Sequence, residues 1–278
     1  MAITARRGGV LKPRQESRQE AAPRMSSGRG DCHHWLHSAE AIAAGIVTWW
    51  IVAILLHSIL LPTPWSTAGA LAKEFTSSSE RADVVITLER IIEGFAGGCV
   101  GGVIIGIVLG MSRAARFLVE PYQQFLRFVT PIAWVTPVSL WLGTGKWSLL
   151  VLVIYATVFP VSVNTTAAFG TLKPERVKLA RSFADDDFLT VFRRVIFPSI
   201  IPQIATGMRL GLSYAFMTVI GLEMLVESSG LGNQIYQARV LYQSKVMMAG
   251  LLLLGVLGLG ADRGFMVLRR RLLLRYEP

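Results

Sequence analysis

Few residues in this 278-residue chain combine reactive types at a useful spacing. Cys32-His33-His34 with His37 offers thiol and imidazole ligands, but no second cluster completes a metal coordination sphere. The two cysteines, Cys32 and Cys99, exclude a disulfide scaffold and a cysteine-based zinc site of the usual spacing. Gly143-Thr144-Gly145-Lys146-Trp147 has the glycines and lysine of a phosphate loop without its spacing or its Ser/Thr. Neither HExxH nor a nucleophile elbow occurs, so hydrolysis has no candidate residues. What remains is a set of ionisable groups inside apolar stretches: Arg127, Arg209 and Glu223, with Glu93 near one end. Arg127 and Arg209 fall near the cytoplasmic ends of their stretches, where long side chains reach water. Glu223 stands shortly before Ser228-Ser229-Gly230-Leu231-Gly232. It reads either as a carboxylate that caps a loop or as a gate or substrate contact, and it would repel an anionic cargo.

The elements that hold these residues follow from composition. The chain is 52% hydrophobic and 17% charged, with a mean hydropathy of +0.49. Soluble domains carry about 25% charged residues, so an ordinary soluble domain is excluded, and so is a disordered chain. A membrane helix needs about 20 mainly apolar residues. Six stretches qualify: 41–61, 91–111, 122–142, 148–169, 201–226 and 246–268. The expectation is an all-α membrane protein with six transmembrane helices. Its divisions are a disordered cytoplasmic tail (1–40), a first transmembrane helix (41–62) and an extracytoplasmic segment (63–86). A core transmembrane domain (87–270) with a cytoplasmic loop (172–197) and a short cytoplasmic tail (271–278) complete it. Arg6-Arg7 with Leu11-Lys12 has a faint twin-arginine character, but the apolar run starts too far downstream and is long enough to stay as an anchor.

The net charge of +10 is compatible with nucleic-acid binding until its distribution is considered. With both termini cytoplasmic, twenty of the 28 Lys and Arg fall on inside segments and six on outside ones. That is a positive-inside bias, so the charge records orientation and argues against a nucleic-acid partner.

Within the spans, Gly94, Gly98, Gly102, Gly106 and Gly110 are each four residues apart. They form one helix face that a second backbone can approach closely. The ridge serves either plain packing or sliding during a conformational cycle. Pro121, Pro131 and Pro137 punctuate the third span, which predicts a kinked or locally unwound helix facing protein or a watery cavity. Trp134, Thr136 and Ser139 on that span and Asn164 on the fourth are the candidate pathway groups, with Glu223 beside them as the gate alternative. No chain of acidic residues runs through the spans, which disfavours an ion-driven carrier.

The loop 172–197 is the longest internal polar stretch. Pro174-Glu175 opens an amphipathic pattern through Leu172, Val177, Leu179, Ala180 and Phe183. Asp185, Asp186 and Asp187 then break it and cap a second helix over 188–196, which Pro198 and Pro202 are expected to stop. Two short helices of this kind suit docking to a soluble partner. The loop resembles the EAA loop of binding-protein-dependent ABC-importer permeases. The correspondence runs through Lys178-Leu179-Ala180, Ala184, Pro198 and Pro202, with Gly207, Arg209 and Leu210 continuing it. Elsewhere the chain is similar to the subfamily that imports nitrate, sulfonates, taurine or bicarbonate. Thr87-Leu88, Arg90, Gly94, Gly106 to Gly110, Arg127, Pro131, Ala133-Trp134 and Pro137 carry that likeness. Trp141, Gly143, Gly145, Phe159-Pro160, Asn164-Thr165, Glu223-Met224-Leu225 and Gly230-Leu231-Gly232 complete it.

The resemblance implies a type I importer architecture in the bacterial inner membrane. It implies a homodimer, cytoplasmic ABC ATPases docked on the loop at Lys178, Leu179, Ala180, Phe183, Ala184 and Asp185, and an extracytoplasmic substrate-binding protein. ATP and magnesium belong to the ATPase, and no cofactor is expected on this chain. The same machinery importing a pyrimidine or aromatic compound is the alternative within the class. An ion-driven secondary carrier is the alternative outside it. Two departures stand out: Lys178 replaces the family glutamate, reversing a charge that faces the ATPase, and Ala184 replaces its glycine. A left-handed backbone at Ala184 would cost on the order of 1 kcal/mol, unless the adjacent aspartates take the turn.

Overall fold

The computed structural model describes residues 31–56, 61–76, 78–172, 188–226 and 229–273, and all regular structure among them is helical. The chain divides into two units, Met1–Thr48 and Trp49–Pro278. Helix α1 (Asp31–Leu56) crosses that division. It makes residues 31–40 helical where the sequence reads as tail; residues 1–30 lie outside the described set. Its apolar part is Ala43–Leu56, shorter than a full span, and residues 57–60 are likewise outside the described set.

In the second unit, α2 (Pro64–Thr76) and the first turns of α3 (Ser78–Met111) occupy the segment expected to be a connection. Ser112 accepts from the Ala115 N–H and starts α4 (Arg113–Phe128). A 3-10 turn (Pro131–Trp134) leads into α5 (Val135–Leu142), followed by α6 (Lys146–Gly170). One helical turn (Phe188–Val191) and a π turn (Phe192–Ile196) enter α7 (Phe197–Leu225). Helices α8 (Leu231–Val240) and α9 (Ser244–Leu273) follow.

Among the described residues, four helices are long and apolar enough to cross a membrane: Glu80–Met111, Lys146–Gly170, Leu189–Leu225 and Ser244–Arg271. The third expected span is not one helix. Arg113–Phe128 and Pro131–Leu142 meet at 91°, because the residue before Pro131 is forced out of the helical region and Thr130 sits at φ −65°, ψ 145°. Counted as one broken span, the pair is the fifth.

Pro198 and Pro202 do not stop the helix that precedes them. In the π turn the Phe197 N–H donates to the Phe192 carbonyl, five residues back. This resets the hydrogen-bond register, so Pro198 falls in the first turn of α7, where its missing N–H costs nothing.

Helices α3, α6 and α7 make the most extensive packing. The glycine ridge of α3 faces a matching row on α6: Gly94 on Val153, Gly98 on Thr157, Gly102 on Val161, Gly106 on Thr165, and Gly110 on Phe169. A Cβ on any of these glycines would overlap its partner. The ridge is therefore a packing seam, which is how two helices come close where burial of apolar surface supplies no drive between them. Ile91, Leu149, Leu152, Val153, Val219 and Leu222 close the core beside it. A second cluster joins α8 to α9 through Leu231, Ile235, Leu253 and Leu254.

Candidate functional site

The break between α4 and the 3-10 turn creates the site. Helix α4 has strong amphipathic alternation and no buried residue. Its apolar side chains point away from the rest of the unit, with Phe117 84%, Phe125 70% and Phe128 78% exposed. Its polar face turns inward. Gln123 donates to the Ser162 hydroxyl of α6, and Arg116 pairs with Glu120 at 3.0 Å. Such a distribution suits a helix with lipid on one side and water on the other.

Two clefts lie along this face. The first, about 160 Å³, is bounded by Arg116, Glu120, Gln123, Gln124 and Arg127 of α4 and by Val163, Thr166 and Ala167 of α6. The second, about 500 Å³, runs from Arg127 past Pro131 to Tyr155, Phe159 and Asn164 of α6 and Leu210 and Tyr214 of α7. Tyr155 lines the larger cleft beside the break. Its hydroxyl lies 2.6 Å from the Leu126 carbonyl and 3.1 Å from that of Val129. It also accepts from the Trp134 indole N–H at 3.2 Å. The Val129 carbonyl at the helix break thus finds a partner inside the protein, as membrane depth requires, and the Leu126 carbonyl, which already accepts from the Val129 N–H, gains a second. The Tyr155 ring meets Trp134 and Phe159 edge to face.

A separate polar cluster caps α8. The buried Glu223 carboxylate accepts from Arg90 Nη1 at 2.9 Å, from the Thr87 hydroxyl at 2.9–3.0 Å, and from the Gly232 N–H at 3.0 Å. Thr87 Oγ1 accepts from the Leu231 N–H at 2.9 Å, and Asp83 accepts from the Gly230 N–H at 2.8 Å. Arg90 also donates to the Ser229 carbonyl at 3.0 Å and to its hydroxyl at 3.2 Å. The free N–H groups at the start of α8 and the positive end of its dipole are answered by two carboxylates and a hydroxyl.

A third charged contact joins α7 to α9. Arg209 donates to both oxygens of Asp262, Nε at 2.6 Å and Nη2 at 2.7 Å. Read from sequence, Arg209 extends to water near a span end; in the structure it is held by a carboxylate. Asp262 went unnoticed although it lies inside the apolar run 246–268, where an ionisable residue is itself the signal.

Of the candidate pathway residues, Asn164 lines the large cleft. Trp134 stands behind it as the donor to Tyr155. Thr136 is exposed on α5. Ser139 lines a separate small cavity with Ser148 and Leu149, its hydroxyl buried without a partner among the described residues. Glu223 belongs to the α8 cap and lines neither cleft. Sequence reasoning missed Tyr155 and Tyr214 as cleft groups, since aromatic residues in a span read as packing, and it missed Gln123, an uncharged polar residue at the start of the expected span. Lys178, Leu179, Ala180, Phe183, Ala184 and Asp185 lie outside the described residues.

A helical membrane protein with a broken span and polar groups turned inward along it is a transport permease in build. The chain belongs to the family of binding-protein-dependent transport system inner membrane components, whose model matches residues 102–273. It is similar to a probable ABC transporter permease of Brucella melitensis, 31% identical over 84% of this chain and 94% of that protein. A putative aliphatic sulfonates transport permease of Escherichia coli is 33% identical over 85% of this chain and 90% of its own length. The taurine transport system permease of Escherichia coli is 26% identical over 84% and 88%. The chain is thus the permease subunit of an ABC importer, a transport component and not an enzyme, and it works with an ABC ATPase and a substrate-binding protein.

Proposed function

We propose that this permease conducts a small anion of the nitrate, sulfonate, taurine or bicarbonate kind, as two copies of the chain forming one pathway. Both termini face the cytoplasm, as the positive-inside distribution favours. ATP and magnesium bind the ATPase alone. The ATPase docks on loop 172–197 through Lys178, Leu179, Ala180, Phe183, Ala184 and Asp185, where the reversed charge at Lys178 calls for an acidic counterpart. Closure of the ATPases upon ATP binding moves this loop and rocks the spans between inward- and outward-open states.

One observation carries the choice of an anion. The clefts along α4 hold two guanidinium groups, Arg116 and Arg127, against one carboxylate, Glu120. Their lining is net cationic. Glu223, the group that would repel an anion, is engaged in the α8 cap. The names of the sulfonate and taurine relatives support the same reading.

The test is reconstitution of the chain with its ATPase and binding protein in proteoliposomes, with uptake measured for taurine, ethanesulfonate, nitrate and uracil. ATP-dependent uptake of one or more of the anions is expected. Uptake of uracil with no anion transported would replace the anion by a neutral pyrimidine. Transport that persists without ATPase, or after deletion of 172–188, would overturn the coupling.

A further inference from the structure

Arg127 is the point at which the two clefts meet, since it lines both. The smaller cleft is charge-balanced apart from it, because Arg116 is paired with Glu120. In the larger, Arg127 is the single charged lining group. Among the described residues no carboxylate pairs with it. Its side-chain contact there is the Phe128 ring, 5.6 Å from the guanidinium carbon.

Arg116 is engaged with Glu120 and Arg209 with Asp262, while Arg113, which begins the same helix as Arg127, lines neither cleft. A charge in a membrane-spanning segment is normally matched by a partner. Arg127 is exposed on a cavity of about 500 Å³, where water or an entering anion, and not a carboxylate of the described residues, meets its charge. Its planar fork offers two parallel N–H donors, the arrangement that fits two oxygens of an oxyanion. Asn164 lines the same cleft. One of its amide hydrogens goes to the Pro160 carbonyl at 2.8 Å, and the chemistry of the amide leaves a second. The Tyr214 hydroxyl adds another donor to that lining.

We propose that Arg127 is the anion-recognising residue of the pathway, receiving a sulfonate-class oxyanion in the cleft between the α4 break and α6 as the substrate crosses. This rests on the reading of the chain as an anion permease and names the residue that selects the charge. A phospholipid headgroup presents the same oxyanion chemistry, so the experiment must separate the two sources.

The full complex of permease, ATPase and binding protein is reconstituted in vesicles of purely zwitterionic lipid and, in parallel, of lipid containing an anionic component. Ethanesulfonate uptake per ATP hydrolysed is measured for wild type, Arg127→Gln, Arg127→Lys and Arg113→Gln. Losing a charged hydrogen-bond partner should lower that ratio roughly tenfold or more in Arg127→Gln, in both lipids. Arg127→Lys should recover part of it, since the charge returns without the fork. Arg113→Gln removes one charge from the same helix without lining either cleft and should follow wild type. The proposal is overturned if Arg127→Gln keeps wild-type stoichiometry, if Arg113→Gln falls equally, or if the loss occurs only with anionic lipid, which would make Arg127 a headgroup site. A wild-type complex that imports uracil and no sulfonate would instead defeat the underlying anion reading, and this proposal with it.

Discussion

Glu223 and Arg90 form an enclosed ion pair, Nη1 to Oε1 at 2.9 Å, that ties the end of α7 to α3 across 133 residues of chain. The pair does more than neutralise charge. The second carboxylate oxygen receives the Gly232 N–H, and the other head of the guanidinium holds Ser229. One contact therefore fixes the start of α8 on two long helices.

Breaking that pair from one side leaves an uncompensated buried charge, which costs about 3–5 kcal/mol. Glu223→Ala and Arg90→Ala should each lower the unfolding midpoint of the purified protein sharply, measured by intrinsic fluorescence or a thiol-reactive dye. Glu223→Gln should be milder, since an amide still accepts from Gly232 and Thr87. Unchanged midpoints for both alanine variants would remove the pair's structural role.

Gly230 sits at φ 103°, and a Cβ there would run into the Glu223 carboxyl. Gly230→Ala combines a left-handed backbone with a steric overlap, so it should destabilise at least as much as losing one ion-pair partner. Its effect should not add to that of Glu223→Ala, because both act on the same contact. Additive losses in the double variant would show the two to be independent.

The α3–α6 seam makes a finer prediction, between neighbouring glycines. At Gly102 a Cβ would lie 2.7 Å from Val161 Cβ and 2.9 Å from the Val158 carbonyl oxygen, whereas at Gly101 the nearest atom is Val158 Cγ2 at 3.4 Å. Gly102→Ala should cost about 1–3 kcal/mol by overpacking. Gly101→Ala should be neutral or gain up to about 1 kcal/mol from helix propensity. Equal effects at both positions, in the same thermal assay, would contradict the close approach.

Much of this was legible in the sequence where the signal is local. Five glycines at a four-residue interval announced a close helix contact. Their partners from Val153 to Phe169 did not stand out, because β-branched and aromatic residues in a span look alike until the helices are paired. Pro131 announced a break after Thr130, but not the size of the 91° bend or the Tyr155 hydroxyl that reaches the Leu126 and Val129 carbonyls from α6, 26 to 29 residues away. Pro198 and Pro202 misled as stop signals, since the π turn that places Pro198 in the first turn of α7 leaves no mark in composition, and Pro202 is carried inside that helix. Asp262 was masked by the apolar average of its segment. Glu223 read as a cap or a gate until Arg90 and Thr87, distant in sequence, were seen to enclose it.

The Tyr155 hydroxyl gives a prediction about the break itself. It is the shared partner of the Leu126 and Val129 carbonyls and of the Trp134 indole. Tyr155→Phe keeps the ring contacts with Trp134 and Phe159 and removes only this junction. The lost hydrogen bonds should cost about 1–3 kcal/mol, concentrated at residues 126–134, so amide exchange should quicken there and remain slow in the α3–α6 seam.

Arg209 and Asp262 provide a test by exchange. Their bidentate contact joins α7 to α9 at a half-exposed position, with side-chain exposures of 43% and 28%. Solvent reaches both groups, so the pair is worth less than an enclosed one; polar contacts between membrane helices average about 0.6 kcal/mol. The informative quantity is the coupling between the two sites, not the size of either loss. Arg209→Asp places two carboxylates together, and Asp262→Arg places two guanidinium groups together, so each should lower the yield of folded protein and its unfolding midpoint. The double exchange restores opposite charges on the same two helices and should recover most of both. Exchange reverses the order of charges along the bundle while conserving the net charge of the chain, so recovery cannot arise from a change in overall charge. A double variant no better than its worse parent would mean that the two side chains meet without contributing to how α7 and α9 are held.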